Sequence, residues 1–122
     1  MIYSTRLTTT SDTLVFTSSS TGAPIAGPVI GRDQAITTII VCNTGTPNLT
    51  NETVNAANLT LNVVLFGSVS STTNTIVSNL TIPAGETVFF SDERIVLSSG
   101  DQLRATSSAA NLLSITVSSL PV

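Results

Sequence analysis

The formally charged side chains are few. They are Asp12, Asp33, Glu52, Glu86, Asp92, Glu93 and Asp101, with Arg6, Arg32, Arg94 and Arg104. The chain has no histidine and no lysine. The commonest general base and metal ligand is therefore missing, as is the amine for a Schiff base. Two carboxylates are enough for glycoside hydrolysis. Such a site usually adds aromatic platforms for the sugar, and this chain has no tryptophan and one tyrosine. Asp92, Glu93 and Asp101 come nearest to an oxygen-rich calcium loop, but their spacing fits no such motif. They read as solvated turn acids, with Asp101 after Gly100 as an ordinary turn pair. Arg94 and Arg104 are expected on neighbouring strands, paired with Asp92 or Glu86 at the surface, where an ion pair contributes little. Cys42, the single cysteine, has no internal disulfide partner. It reads as a small buried hydrophobe rather than a reactive thiol. No Gly-x-Ser-x-Gly elbow, P-loop or dinucleotide glycine motif occurs. An enzyme is not expected, nor a cofactor, a metal or a small-molecule substrate.

The elements that carry these residues follow from composition and patterning. The length of 122 residues fits one domain with a core of its own. Charged residues are only 9% of the chain, and Ser and Thr fill 38 positions in their place. Threonine favours strands and serine favours turns, so this is the balance of an all-β protein. The net charge is −3 and the arginines are scattered. With no basic face to meet phosphates, no nucleic acid partner is expected. No apolar run reaches the length of a membrane helix, so no membrane partner is expected. The opening "MIYSTRLTTTSDT" shows no charged stretch followed by an apolar block, and no leader is expected.

Along the chain, "IYSTRLT" and "TLVF" read as short strands, followed by the Gly/Pro/Ser-rich "SSSTGAPIAGPVIGRDQ". Residues 1–34 are thus expected to form an N-terminal arm with edge strands, and residues 35–122 a β-sandwich domain. "AITTIIVCN" reads as a central strand, and "GTPNLTNETVNAAN" as a polar connection. "LTLNVVLFG" places Leu59, Leu61, Val63 and Leu65 on one face, and "NTIVSNLTI" does the same for Ile76, Leu80 and Ile82. Residues 82–85, Ile-Pro-Ala-Gly, predict a type I turn. "ETVFF", "RIVL", "QLRATS" and "LLSITVSS" complete seven to nine strands. Their regular spacing predicts a single antiparallel β-sandwich, Ig-like or jelly-roll-like, with an extended N-terminal arm. Val, Ile and Leu should line the interior, with Phe66, Phe89 and Phe90 as the bulky pieces.

Four stretches, "TTIIVCNTG", "LTLNVVLFG", "NLTIPAGETVFF" and "IVLSSGDQLRATSSAANLLSITVSSLPV", carry a likeness. Over residues 36–122 the chain resembles small β-sandwich virion proteins of tailed bacteriophages, including those infecting cyanobacteria and marine bacteria. The resemblance implies a non-enzymatic virion structural protein. Its leading form is a capsid decoration (cement) protein that docks on the major capsid protein and stabilises the head. A neck or tail adaptor or fibre-anchoring protein is the first alternative, and a carbohydrate-binding or adhesin module the second. Self-association is expected, as a homotrimer on the three-fold sites of a capsid. The expected contact residues are Ile2, Tyr3, Leu7, Leu14, Phe16, Pro24, Ile25, Pro28, Val29, Ile30 and Arg32.

Overall fold

The computed structural model describes residues 2–19, 32–91 and 94–122. Among the described residues nine strands are present: β1 (Ile2–Arg6), β2 (Thr13–Thr17), β3 (Gln34–Asn43), β4 (Ala57–Val64), β5 (Thr75–Ile82), β6 (Thr87–Phe90), β7 (Ile95–Leu97), β8 (Gln102–Ser107) and β9 (Leu113–Pro121). They form two antiparallel sheets. Sheet A runs β1-β9-β3-β6, with β7 also paired to β3, and sheet B runs β2-β8-β4-β5. The strands β6 and β7 meet β3 at successive stretches, Ile39–Cys42 and Gln34–Ile36, so together they occupy one broken edge position.

With those two counted as one, the pairs are nested: β1 with β9, β2 with β8, β3 with β6, and β4 with β5. This is the wiring of a double Greek-key jelly roll, which sets the Ig-like alternative aside. The strands of residues 1–34 are integral to it. β1 closes one edge of sheet A and β2 one edge of sheet B, and Leu7, Val15 and Phe16 sit in the core with no exposure. The strand β3 starts at Gln34, so position 34/35 lies inside an element. Most of the Gly/Pro-rich stretch, including Pro24, Ile25, Pro28, Val29 and Ile30, lies outside the described residues. Its two bases meet, because Ser18 Oγ lies 2.7 Å from the carbonyl of Arg32 and 3.1 Å from that of Leu97.

The core lies between the sheets. Ile36, Ile39, Val41, Leu113, Ile115 and Val117 face it from sheet A, and Phe16, Leu59, Leu61, Leu103 and Ala105 from sheet B. Alternation along each strand creates these two faces. Three expectations change, at the end of a strand, at a bulge and at an adjacent pair. Leu65 lies beyond the end of β4 and is 65% exposed. In β5 a bulge places Leu80 opposite Leu59 but Val77 opposite Leu61, so the inward parity switches and Ile76 leaves the face of Ile82. Asn79 carries this bulge at φ 55, and its amide donates to Thr60 Oγ1. Finally, Phe89 and Phe90 are adjacent in a strand and cannot share a face. Phe90 packs on the core, whereas Phe89 and Phe66 are exposed.

The turn after β5 is also one residue later than expected. It closes from the Glu86 amide to the Pro83 carbonyl, with Gly85 in its third position at φ 80. A positive φ there defines a type II turn, which glycine enters without steric cost.

Candidate interaction surface

Three of the acids, Asp12, Asp33 and Asp101, are used as acceptors within the fold. Asp101 is not a solvated turn acid: it is 8% exposed, accepts the Phe66 amide on Oδ1 at 3.0 Å, and accepts the Ser98 amide on Oδ2 at 3.0 Å. Asp33 Oδ1 accepts the Ser99 amide. Asp12 Oδ2 accepts Arg104 Nε at 2.7 Å, and both its oxygens lie within reach of Ser70 Oγ. The expected pairing of Arg104 with Asp92 or Glu86 gives way to this one. The strands β7 and β8 are consecutive but belong to different sheets, so Arg94, just before β7, and Arg104 are not neighbours. Asp92 and Glu93 lie outside the described residues. Glu52 and Glu86 border a cleft with Pro47, Asn48, Pro83 and Ala84. Among the described residues no three His, Cys, Asp or Glu side chains gather as a metal would require.

The two outer faces of the sandwich differ sharply. Directly paired residues share a face, so the register of sheet A defines its outer rows. One row is Ser4–Thr116–Ile40–Phe89, and the next is Arg6–Ser114–Cys42–Thr87. On the other side lie Ile2–Ser118–Thr38 and then Leu120–Ala35–Val96. Arg6 is the one charged side chain in these four rows. Ile2, Phe89, Val96 and Leu120 are all more than half exposed. Cys42 belongs to this outer face and is half-buried, not a core residue.

The paired rows of the outer face of sheet B are more polar and partly covered, although the covering connection exposes Leu65, Phe66 and Val69. Its rows include Leu14–Arg104–Asn62 and Thr106–Thr60. The connection from β4 to β5 folds back over it. Asn62 Nδ2 lies within hydrogen-bonding distance of Ser71 O, Asn74 Oδ1 and Thr75 Oγ1, and Ser70 reaches Asp12. Among the described residues, the paired rows of sheet A form the outer face with the fewer charges and with four apolar side chains more than half exposed, on which a partner can be accommodated. An apolar patch of this kind is the usual mark of a protein contact.

The expected contact residues divide accordingly. Ile2 lies on the outer face of sheet A, and Tyr3 turns inward against the core. Leu14 is half-buried on the polar face, paired with Arg104. Leu7 and Phe16 are wholly interior and present nothing to a partner. Arg32 is exposed, with its carbonyl held by Ser18. The sequence reading missed Ile40, Phe89, Val96 and Leu120. The signal was present, since Phe89–Phe90 and Ile95-Val96-Leu97 must each send a side chain to the outside.

A second apolar feature lies where β5 faces β6 and β7. There Ile36, Ile39, Ile76, Val77, Phe90 and Ile95 line a cavity of about 340 Å³ at the open side of the sandwich.

Comparison with known proteins adds no relative: no family model, no curated protein and no solved structure matches the chain. The class defined by the fold is an all-β jelly-roll sandwich of two antiparallel sheets.

Proposed function

We propose that this chain is a non-enzymatic structural protein of a tailed-phage particle, a decoration protein that docks on the major capsid protein and stabilises the head. The observation that carries this reading is the contrast between the two outer faces. Among the described residues the paired outer rows of sheet A bear Ile2, Ile40, Phe89, Val96 and Leu120 with Arg6 as their one charge, whereas the outer face of sheet B is crossed by the hydrogen-bonded connection after β4. Jelly rolls recur in viral shells, where rigid sheets tile repeated subunits. That recurrence is an analogy of fold, and the contrast between the faces is the part specific to this chain. The acids engaged in tying loops together also support a binding role over a catalytic one.

The test is the number of copies of this chain per major capsid protein in purified particles, together with the binding of Phe89→Asp to undecorated heads. A copy number comparable to the capsid protein, and loss of binding by a folded Phe89→Asp variant, are expected. A copy number limited to one ring would move the protein to the neck or tail. Absence from the particle would overturn the reading.

A further inference from the structure

A β-sandwich has exposed strand edges, and proteins that avoid self-association blunt them with bulges, breaks, short strands or charge. Among the described strands, three of the four sheet edges are treated in this way. The strand β2 is bulged between Leu14 and Phe16. The strand β5 shifts register twice, with Asn79 at positive φ. The edge formed by β6 and β7 consists of pieces of four and three residues. The strand β1 differs. Its five residues pair with β9 in unbroken register, Ile2 with Ser118 through Arg6 with Ser114, and among the described residues it has no partner on its other side. It contains no proline, no lysine and no acid, and Arg6 is its one charge.

We infer that the free edge of β1 is a strand-addition site, and that the occupant is β1 of a second copy in antiparallel orientation about a two-fold axis at Ser4. The other edges of a second copy are blunted, which leaves β1 as the strand able to pair along its whole length. Charge selects the direction. A parallel in-register pairing sets Arg6 beside Arg6 of the second copy, where like charges repel. The antiparallel pairing sets Arg6 opposite Ile2, Tyr3 opposite Thr5, and Ser4 opposite itself. The contact is then isologous, as in the commonest class of homo-oligomer. It joins the two A sheets into one continuous sheet by backbone hydrogen bonds, the mode of β-augmentation. A two-fold pair takes the place of the trimer expected from the sequence. The inference does not rest on the virion reading, which is tested by copy number and not by the state of the free protein.

The test is sedimentation velocity on the full chain across a concentration series, together with directed crosslinking. A monomer–dimer equilibrium is expected. Ser4→Lys, which places two ammonium groups across the axis from an exposed position, should raise the dissociation constant at least about tenfold. In a Cys42→Ser background, Ser4→Cys should form a disulfide-linked dimer under mild oxidation, and Ile2→Cys, set opposite Arg6 of the second copy, should not. Because crosslinking reads position directly, it decides the matter even if Ser4→Lys perturbs folding. A chain that stays monomeric, a trimer, a dimer indifferent to Ser4→Lys, or equal crosslinking at Ile2 and Ser4 would each overturn the inference.

Discussion

Asp101 Oδ1 accepts the backbone amide of Phe66 at 3.0 Å across 35 positions of sequence, while Oδ2 accepts the amide of Ser98 in its own turn. One carboxylate thus ties the connection after β4 to the turn between β7 and β8. The backbone of the same turn is fixed from a third direction, since the Gly100 amide donates to Ser18 O and the Ser18 amide to Asp101 O. Replacing Asp101 by alanine removes the charged acceptor of two partly buried amides, and a hydrogen bond to a charged group contributes about 1.5–3 kcal/mol at most. Urea denaturation should show Asp101→Ala destabilised by about 2–4 kcal/mol. Asp101→Asn, which keeps one acceptor oxygen, should fall between it and the parent.

Asn43 does the corresponding work at the other end of the sandwich. It is fully buried, its Nδ2 donates to Asn55 O and Ile82 O, and its Oδ1 accepts the Gly45 amide. Asn43→Asp would aim a carboxylate at two carbonyl oxygens. Its folded-state pKa would then be raised above the unfolded value, so the native state would bind the extra proton. Stability of this variant should fall as pH rises through the carboxylate range and recover on acidification, the direction required by linkage. Denaturation midpoints at two pH values, compared with the parent, check the sign.

Asn79 holds the β5 bulge at φ 55, a conformation that glycine adopts freely and a β-branched residue resists. Asn79→Gly should change stability by less than about 1 kcal/mol, whereas Asn79→Val should lose about 1–2 kcal/mol. Thermal unfolding of the two variants side by side is sufficient, and equal losses would show that the bulge tolerates either backbone.

The Arg104–Asp12 pair is partly exposed, so its effect on global stability is small, below about 1 kcal/mol and weaker in salt. Its local effect is larger, because Asp12 also holds Ser70. Asp12→Ala should leave the unfolding midpoint nearly unchanged and speed hydrogen exchange at the Ser71 and Asn74 amides. Unchanged exchange there would mean that Asn62 alone secures the segment.

The strands were legible because their alternation is local: "AITTIIVCN", "QLRATS" and "LLSITVSS" need no knowledge of a partner to be read. Parity through Asn79 and through the bulge at Ile36/Thr38 was not, since a bulge is a relation between two strands. Asn43 and Asp101 looked like ordinary strand-end and turn residues. Their burial depends on which loops gather at each end, and strand order decides that. The apolar outer face of sheet A was half legible in Phe89–Phe90. Which sheet is crossed was set by the connection after β4, a stretch whose docking rests on Asn62 and Asp12.

The nesting of the pairs also orders the chain in time. The strands β4 and β5 are joined by a short connection, whereas pairing Ile2 with Ser118 closes nearly the whole polypeptide. Closure entropy grows with loop length, and contacts distant in sequence slow folding. Assembly is therefore expected to zip outward from the central hairpin, with β1 the last strand to dock. A refolding or heat-stressed chain is therefore expected to spend longest with the β1 side of β9 uncovered, and that vacancy has the same shape whether filled by its own first strand or by one from a neighbour. Strand exchange at β1 is thus the kinetic hazard built into this topology.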